Sequence, residues 1–270
     1  MHVCFNGRMI AENTPVFKAD NRGFKYGDGV FETIKVSNER IPLIDLHFER
    51  LITSLQLLKI QHNYTKELLV QWIMGLCQLN QCQDSARVRL AGFRNAIGHA
   101  EIIIEAQPIK SIDIQTWSQG TSLAIYPYAR KPRDVFANLK TANFLPYVMA
   151  GFYAVEKGFD DCIVLNDDNK ICDSSKANIF MIRDNEIYTP ALHQGCINGV
   201  MRRYLIDAIK ELNYVVHQEE IVEEDLESAD ELFLTNAVKG ITPVNTFNGK
   251  QFNNSITSGF YERLIIPLFA

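Results

Sequence analysis

Lys140 lies in "NLKTANFLPYVMAG", directly ahead of an apolar run with helical character and with no acidic residue beside it in sequence. An ammonium group held against an apolar site loses its proton more readily, because desolvation disfavours the charged form, and the resulting amine is a nucleophile. A lone lysine at a strand end ordinarily only reaches for solvent, so other residues have to decide. His47 and Arg50, three apart in "LHFERL", project from nearly one side of a helix, offset from Phe48, Leu51 and Leu55. The guanidinium fork suits a phosphate, although an exposed arginine pairing with Glu49 gives the same pattern. "CINGVMRR" is an Asn-Gly turn into a helix, a natural seat for an anion at the positive end of the helix dipole. "LTNAVKG" offers a polar turn whose backbone can also reach an anion. Asp173, in "NKICDSSKANIF", stands among small residues ahead of an apolar strand. A pyridine cofactor needs such a carboxylate at its ring nitrogen; a turn-forming aspartate has the same local sequence.

The elements that must position these groups are readable from periodicity. "VCFNGRMI" and "FETIKVSNERIPL" read as strands and a hairpin, and "ADNRGFKYGDGVFE" between them as a loop punctuated by Gly23, Gly27 and Gly29. Asp45 is the expected N-cap of a helix carrying Phe48, Leu51, Ile52, Leu55 and Leu58 on one face. A second helix is expected over about 65–80, then strands "ARVRLAGF" and "AEIIIEAQPI". The polar stretch 110–122 is the expected connection between domains spanning 1–118 and 119–270. Beyond Lys140 a helix over about 143–157 accepts Pro146 in its first turn. Short strands with Asp/Asn-rich turns follow, then a helix reached through Gly199, a strand–turn–strand over "ADELFLTNAVKGITPV" and a short apolar helix at the end. The pattern is α+β in two domains.

The 270 residues are 47% apolar and 22% charged, the profile of a globular chain with a substantial core. A net charge of −5 argues against nucleic acid as a partner. No basic segment leads into an apolar signal region at the N-terminus, and no apolar run approaches the roughly 20 residues of a membrane span. The six cysteines are scattered without a C-x-x-C pair, so neither a metal site nor a disulfide framework is expected. A cytoplasmic, reduced protein is the expectation.

The ordered set "RGFKYGDGVFE", "HFERL", "LKTANFL", "DSSKANIF", "INGVMRR" and "DELFLTNAVKGITPV" resembles the pyridoxal-phosphate enzymes of fold type IV. That family holds the class IV aminotransferases, among them branched-chain and D-amino-acid aminotransferases, together with 4-amino-4-deoxychorismate lyases. The resemblance runs over about residues 5–250. It implies a smaller N-terminal α/β domain and a larger, β-rich C-terminal domain with pyridoxal 5′-phosphate in the cleft. It implies Lys140 holding the cofactor as an aldimine and moving the proton between substrate Cα and cofactor. Arg50 would bind the phosphate with the backbone of Val200, Met201, Ala237 and Val238, and Asp173 would face the ring nitrogen. Tyr26, Phe31 and Arg89 fall in the substrate pocket, Arg89 near the carboxylate. A homodimer acting on small amino-acid and 2-oxo-acid substrates is implied as well.

Three positions depart from the family pattern. Asp173 replaces a glutamate and is one methylene shorter. Phe144 replaces a tyrosine whose hydroxyl approaches the cofactor's phenolic oxygen, leaving Asn143 as a donor there. Ala237 replaces a phosphate-binding threonine. The first half, with Phe31–Glu32 and Arg89, leans toward an aminotransferase of branched-chain or D-amino-acid type; the second half leans toward aminodeoxychorismate lyase, which releases pyruvate and 4-aminobenzoate. The aminotransferase is the leading expectation, the lyase the alternative, and a family member without catalysis the third reading.

Overall fold

The computed structural model describes residues 1–110 and 114–270; part of the expected 110–122 connection lies outside the described residues. The chain forms two compact units: Met1–Ser111 with Leu139–Asn143 and Phe269–Ala270, and Ile112–Asn138 with Phe144–Leu268.

The first unit opens with the hairpin β1 (His2–Phe5) and β2 (Arg8–Ala11), then α1 (Arg22–Tyr26) and β3 (Gly29–Ser37). Helices α2 (Ile44–Leu57) and α3 (Lys66–Leu79) lead to β4 (Ser85–Arg94) and β5 (Ala100–Pro108). Its strands order as β2-β1-β5-β4-β3. Strict alternation gives β3 and β4 a core face, where Val30, Ile34, Val36, Val88 and Leu90 meet Leu51 and Leu55 of α2 and Ile73 and Leu76 of α3. Each such side chain contributes roughly 1.5–3 kcal/mol when fully buried.

Two local expectations are corrected here. The glycine-punctuated loop contains α1, a single short helix capped by the Asn21 side chain on the Phe24 N–H and stopped by Gly27 at φ 63°. Asp45 is not the cap of α2: the chain turns into that helix through Leu43 at φ 57°, and Asp45 sits in the first turn, where its charge suits the dipole.

The second unit contains α4 (Ile114–Ser118), β6 (Thr121–Lys131), α5 (Leu145–Lys157), β7 (Asp161–Asn166), β8 (Ile171–Ser174), β9 (Asn178–Arg183) and β10 (Glu186–Pro190). There follow α6 (Val200–Glu211), β11 (Val216–Glu219), α7 (Glu223–Ser228), β12 (Glu231–Asn236), β13 (Gly240–Phe247) and β14 (Lys250–Gln251). Helix α8 (Ser255–Phe260) passes through a π-helical stretch, Tyr261–Ile265, into α9 (Ile266–Phe269). The mixed sheet runs β11-β10-β9-β12-β13-β6-β7-β8, with β14 on β13. One face is lined by Ile179, Met181, Leu232, Leu234 and Val244. On another, Phe180 stacks on Phe233 at 5.0 Å, with Phe260 edge-on to Phe233. Among the described residues no helix is long and apolar enough to cross a membrane.

Candidate functional site

In the first unit, β3 sends alternate residues to opposite faces, and both faces carry chemistry. On the core face Glu32 is 2% exposed. Its carboxylate accepts from Arg50 through Nε at 2.7 Å and Nη2 at 2.5 Å and lies 2.7 Å from His47 Nδ1. Burial alone would raise the Glu32 pKa, but the Arg50 charge and the His47 and Arg50 hydrogen bonds outweigh it and hold it at about 2. Arg50, expected at a phosphate, therefore directs two guanidinium nitrogens at Glu32.

On the opposite face of β3 stands Phe31. Its strand is an edge of the sheet, and Leu139–Asn143 lies along that edge, joined to it by an isolated bridge and two backbone hydrogen bonds. The Phe31 N–H donates to the Lys140 carbonyl at 2.9 Å, the Ala142 N–H to the Gly29 carbonyl at 2.9 Å, and Thr141 bridges Val30. Pairing of this kind satisfies edge donors and acceptors and fixes register. It brings Lys140 Nζ to 4.6 Å from the Phe31 ring centroid. Arg89, on β4 diagonally across from Phe31, sets its guanidinium 3.9 Å from the same centroid. Burial pulls the Arg89 pKa down from its ordinary value, with Glu105 opposing across the strand. Lys140, Phe31 and Arg89 thus form one group. Tyr26 stands outside it, 61% exposed with Arg22 over its ring. Asn143 is exposed and gives its amide to the Gly27 carbonyl at 3.3 Å.

In the second unit Asp173 and the turn into α6 both meet Asn178, which the sequence reading did not single out. Asp173, 2% exposed, accepts from Asn178 Nδ2 at 2.7 Å, the Tyr147 hydroxyl at 2.8 Å and the Ile197 N–H at 2.9 Å, with Lys131 Nζ at 3.4 Å. Asn178 also donates to the Ile197 carbonyl at 2.8 Å, and its Oδ1 sits where a Cβ at Gly199 would fall. Only glycine permits that approach, and Gly199 is the N-cap of α6, with no side chain capping the helix. The N–H groups of Val200 and Met201 follow in the first turn, where a helix supplies no acceptors. Asn178 pairs across the sheet with Thr235, at the end of β12, so the two side chains are neighbours on one face. Thr235 is 2% exposed and its hydroxyl has no hydrogen-bond partner among the described residues. The turn beyond Thr235 carries Ala237 and Val238, and Asn236 accepts the Val238 N–H at 3.1 Å.

Tyr147, Lys131, Asn178 and Thr235 are the residues around Asp173 and the start of α6 that sequence reasoning passed over. Tyr147 carried a signal, one helical turn beyond Phe144, with the two rings 4.5 Å apart. Its hydroxyl stands near the family's missing one in sequence but is spent on Asp173.

The residues of the second unit fit pyridoxal phosphate. A helix N-terminus without a side-chain cap and a buried hydroxyl with no partner among the described residues suit its phosphate. A buried carboxylate suits its ring nitrogen.

A family model described as amino-transferase class IV matches residues 29–247. A putative branched-chain-amino-acid aminotransferase of Methanocaldococcus jannaschii is 28% identical, covering 98% of this chain and 94% of that one. Aminodeoxychorismate lyase of Bacillus subtilis is 29% identical over 88% of this chain and 84% of its own. The crystal structure of branched-chain amino acid aminotransferase from Escherichia coli superposes with a TM-score of 0.90 at 22% identity, covering 100% of this chain and 94% of that one, a likeness of fold.

Proposed function

The chain belongs to the class IV aminotransferase family, and we propose that it moves the α-amino group of an amino acid of branched-chain or D-amino-acid type to a 2-oxo acid, with Lys140 as the catalytic amine. The observation that carries this reading is the group on the outer face of β3. An amine and a guanidinium meet one aromatic ring, at 4.6 and 3.9 Å, so a proton carrier and a carboxylate-binding cation stand within reach of one small substrate.

Pyridoxal phosphate, when bound, supplies the carbonyl carbon that takes the amino group and a ring that draws electron density from the substrate Cα. Lys140 would hold that carbon covalently in the resting enzyme and, once displaced by the substrate amine, carry the Cα proton on Nζ. Arg89 would orient the substrate carboxylate and Phe31 would wall the reacting atoms from water. Asp173 would face the ring nitrogen. The backbone of Val200, Met201, Ala237 and Val238, with Arg50, would hold the phosphate, and Asn143 would stand near the phenolic oxygen. Tyr26 would border the substrate.

A homodimer in the cytoplasm belongs to the same reading. Helix α5 supports the dimer: Leu145, Val148, Met149, Phe152 and Val155 are exposed between 43% and 74% along one side of it. The lyase is retained as a second reading because the Asn236–Ala237 turn lacks the threonine hydroxyl common in the aminotransferases.

The test is the absorption spectrum of the purified protein before and after single L- and D-amino acids, without a keto acid. The reading expects a yellow protein that one donor class bleaches to the pyridoxamine form. Pyruvate release from aminodeoxychorismate with no amino transfer would establish the lyase instead.

A further inference from the structure

Asp173 carries more partners on one oxygen than on the other. Oδ2 meets the Tyr147 hydroxyl at 2.8 Å, the Ile197 N–H at 2.9 Å and Lys131 Nζ at 3.4 Å. Oδ1 accepts from Asn178 at 2.7 Å, on the side where Gly199 opens α6. Three donors crowd Oδ2, so Oδ1 is the oxygen with acceptor capacity to spare.

Lys131 is 7% exposed, and lysine is among the residues least often buried unless paired. Its ammonium lies 5.3 Å from the Tyr147 ring centroid and 3.4 Å from the carboxylate, so the aspartate's charge is matched inside the protein. Tyr147 stays a neutral donor: burial, reinforced by Asp173, pushes its phenol well above the ordinary value. The other titratable neighbours add no mobile charge. Burial pushes the Cys172 thiol up and the Cys196 thiol up to about 12, keeping both neutral. Arg202 of α6 directs Nη2 at the Pro190 carbonyl and at Gln218, each at 2.9 Å. Among the described residues, Lys131 on β6 and Tyr147 on α5 are the titratable side chains that reach the Asp173 carboxylate directly.

We propose that Lys131 and Tyr147 are positioning residues that weaken the hold of the pyridine nitrogen on its proton, by occupying Oδ2 and offsetting the charge of a carboxylate that faces that nitrogen through Oδ1. The inference rests on the cofactor and the Asp173 role put forward under the proposed function. A bare carboxylate at the nitrogen fixes its proton; a carboxylate already matched by an ammonium and a phenol holds it less firmly. A less protonated ring withdraws less electron density from the substrate carbon. Lys131 and Tyr147 thus tune how strong an electron sink this chain makes of its cofactor, alongside the shortening from glutamate to aspartate.

The experiment loads the full-length protein with pyridoxal phosphate labelled with nitrogen-15 in the ring and follows the ring-nitrogen chemical shift against pH. Lys131→Met is expected to move the titration midpoint up by roughly one to two pH units, the span usual for loss of a nearby charge. Lys131→Arg restores the parent midpoint, and Tyr147→Phe moves it up by a smaller step. Lys131→Met protein that binds the label with the parent midpoint overturns the inference and leaves the cofactor assignment intact. Failure of the parent protein to bind the label overturns the assignment and the inference together. Should Lys131→Met not fold, Tyr147→Phe decides alone: an unmoved midpoint overturns the inference.

Discussion

Replacing Glu32 by glutamine keeps the shape of the side chain and removes the charge that Arg50 and His47 both face. All three are buried, at 2%, 9% and 2% exposure, so solvent cannot take over the missing role. The fall of the Glu32 pKa from 4.5 to about 2 corresponds to about 3 kcal/mol of stability, at about 1.4 kcal/mol per unit. Because the folded-state pKa is the depressed one, that contribution is fully present above the unfolded value of 4.5 and is lost as pH falls toward about 2. The substitution also removes the charge that faces the Arg50 guanidinium at 2.7 Å through Nε, and breaking one side of a buried pair typically costs about 3–5 kcal/mol. Glu32→Gln should therefore lose about 3–5 kcal/mol in denaturant unfolding of the first unit at neutral pH. It should also lose the parent's stability change between pH 4.5 and about 2. Glu32→Leu with Arg50→Met should recover part of the stability, since the ion pair is removed whole and only the His47 Nδ1 contact is lost. A glutamine variant within about 1 kcal/mol of the parent, with the acid limb unchanged, would refute the reasoning.

Gly199→Ala drives a Cβ into Asn178, which holds Asp173, so pyridoxal phosphate affinity should fall roughly tenfold or more in a fluorescence titration. Thr235→Val removes a hydroxyl with no partner among the described residues, so the cofactor-free protein should unfold at the same temperature or slightly higher while phosphate-dependent affinity drops; pyridoxal without its phosphate should bind both proteins alike. Arg89→Lys should raise KM for the amino donor roughly tenfold or more while the bound-cofactor spectrum stays that of the parent, because lysine lacks the planar fork that grips a carboxylate. Phe152→Asp on α5 should convert a dimer to a monomer in light scattering after gel filtration, and a parent that is itself monomeric would remove the dimer from the account.

The sequence reading reached as far as local motifs carry. Lys140, Asp173, the turn into α6 and the β12–β13 turn could be singled out as candidates because each sits in a short stretch whose residue types suit one chemistry. Their companions were not. Asn178, Tyr147 and Lys131 come from β9, α5 and β6, and reach Asp173 only through sheet order and helix packing, which no local window contains. Thr235 was visible only as a strand residue, because an orphaned hydroxyl is defined by what surrounds it. At Arg50 the sequence showed a fork suited to a phosphate and not the carboxylate, 18 residues earlier, that takes two of its nitrogens. Local propensity also understated α1, where an asparagine cap and a left-handed glycine organise a single helical turn inside a run that reads as loop.

The central claim is that Lys140 is the amine that holds pyridoxal phosphate, and chemical reduction tests it most directly. Borohydride treatment of the purified yellow protein, followed by proteolysis and mass spectrometry, should place a phosphopyridoxyl group on the peptide containing Lys140. Lys140→Ala should bind the cofactor without acquiring that label. A label found on Lys131 or on another lysine, or a parent protein that takes none after incubation with pyridoxal phosphate, would contradict the account.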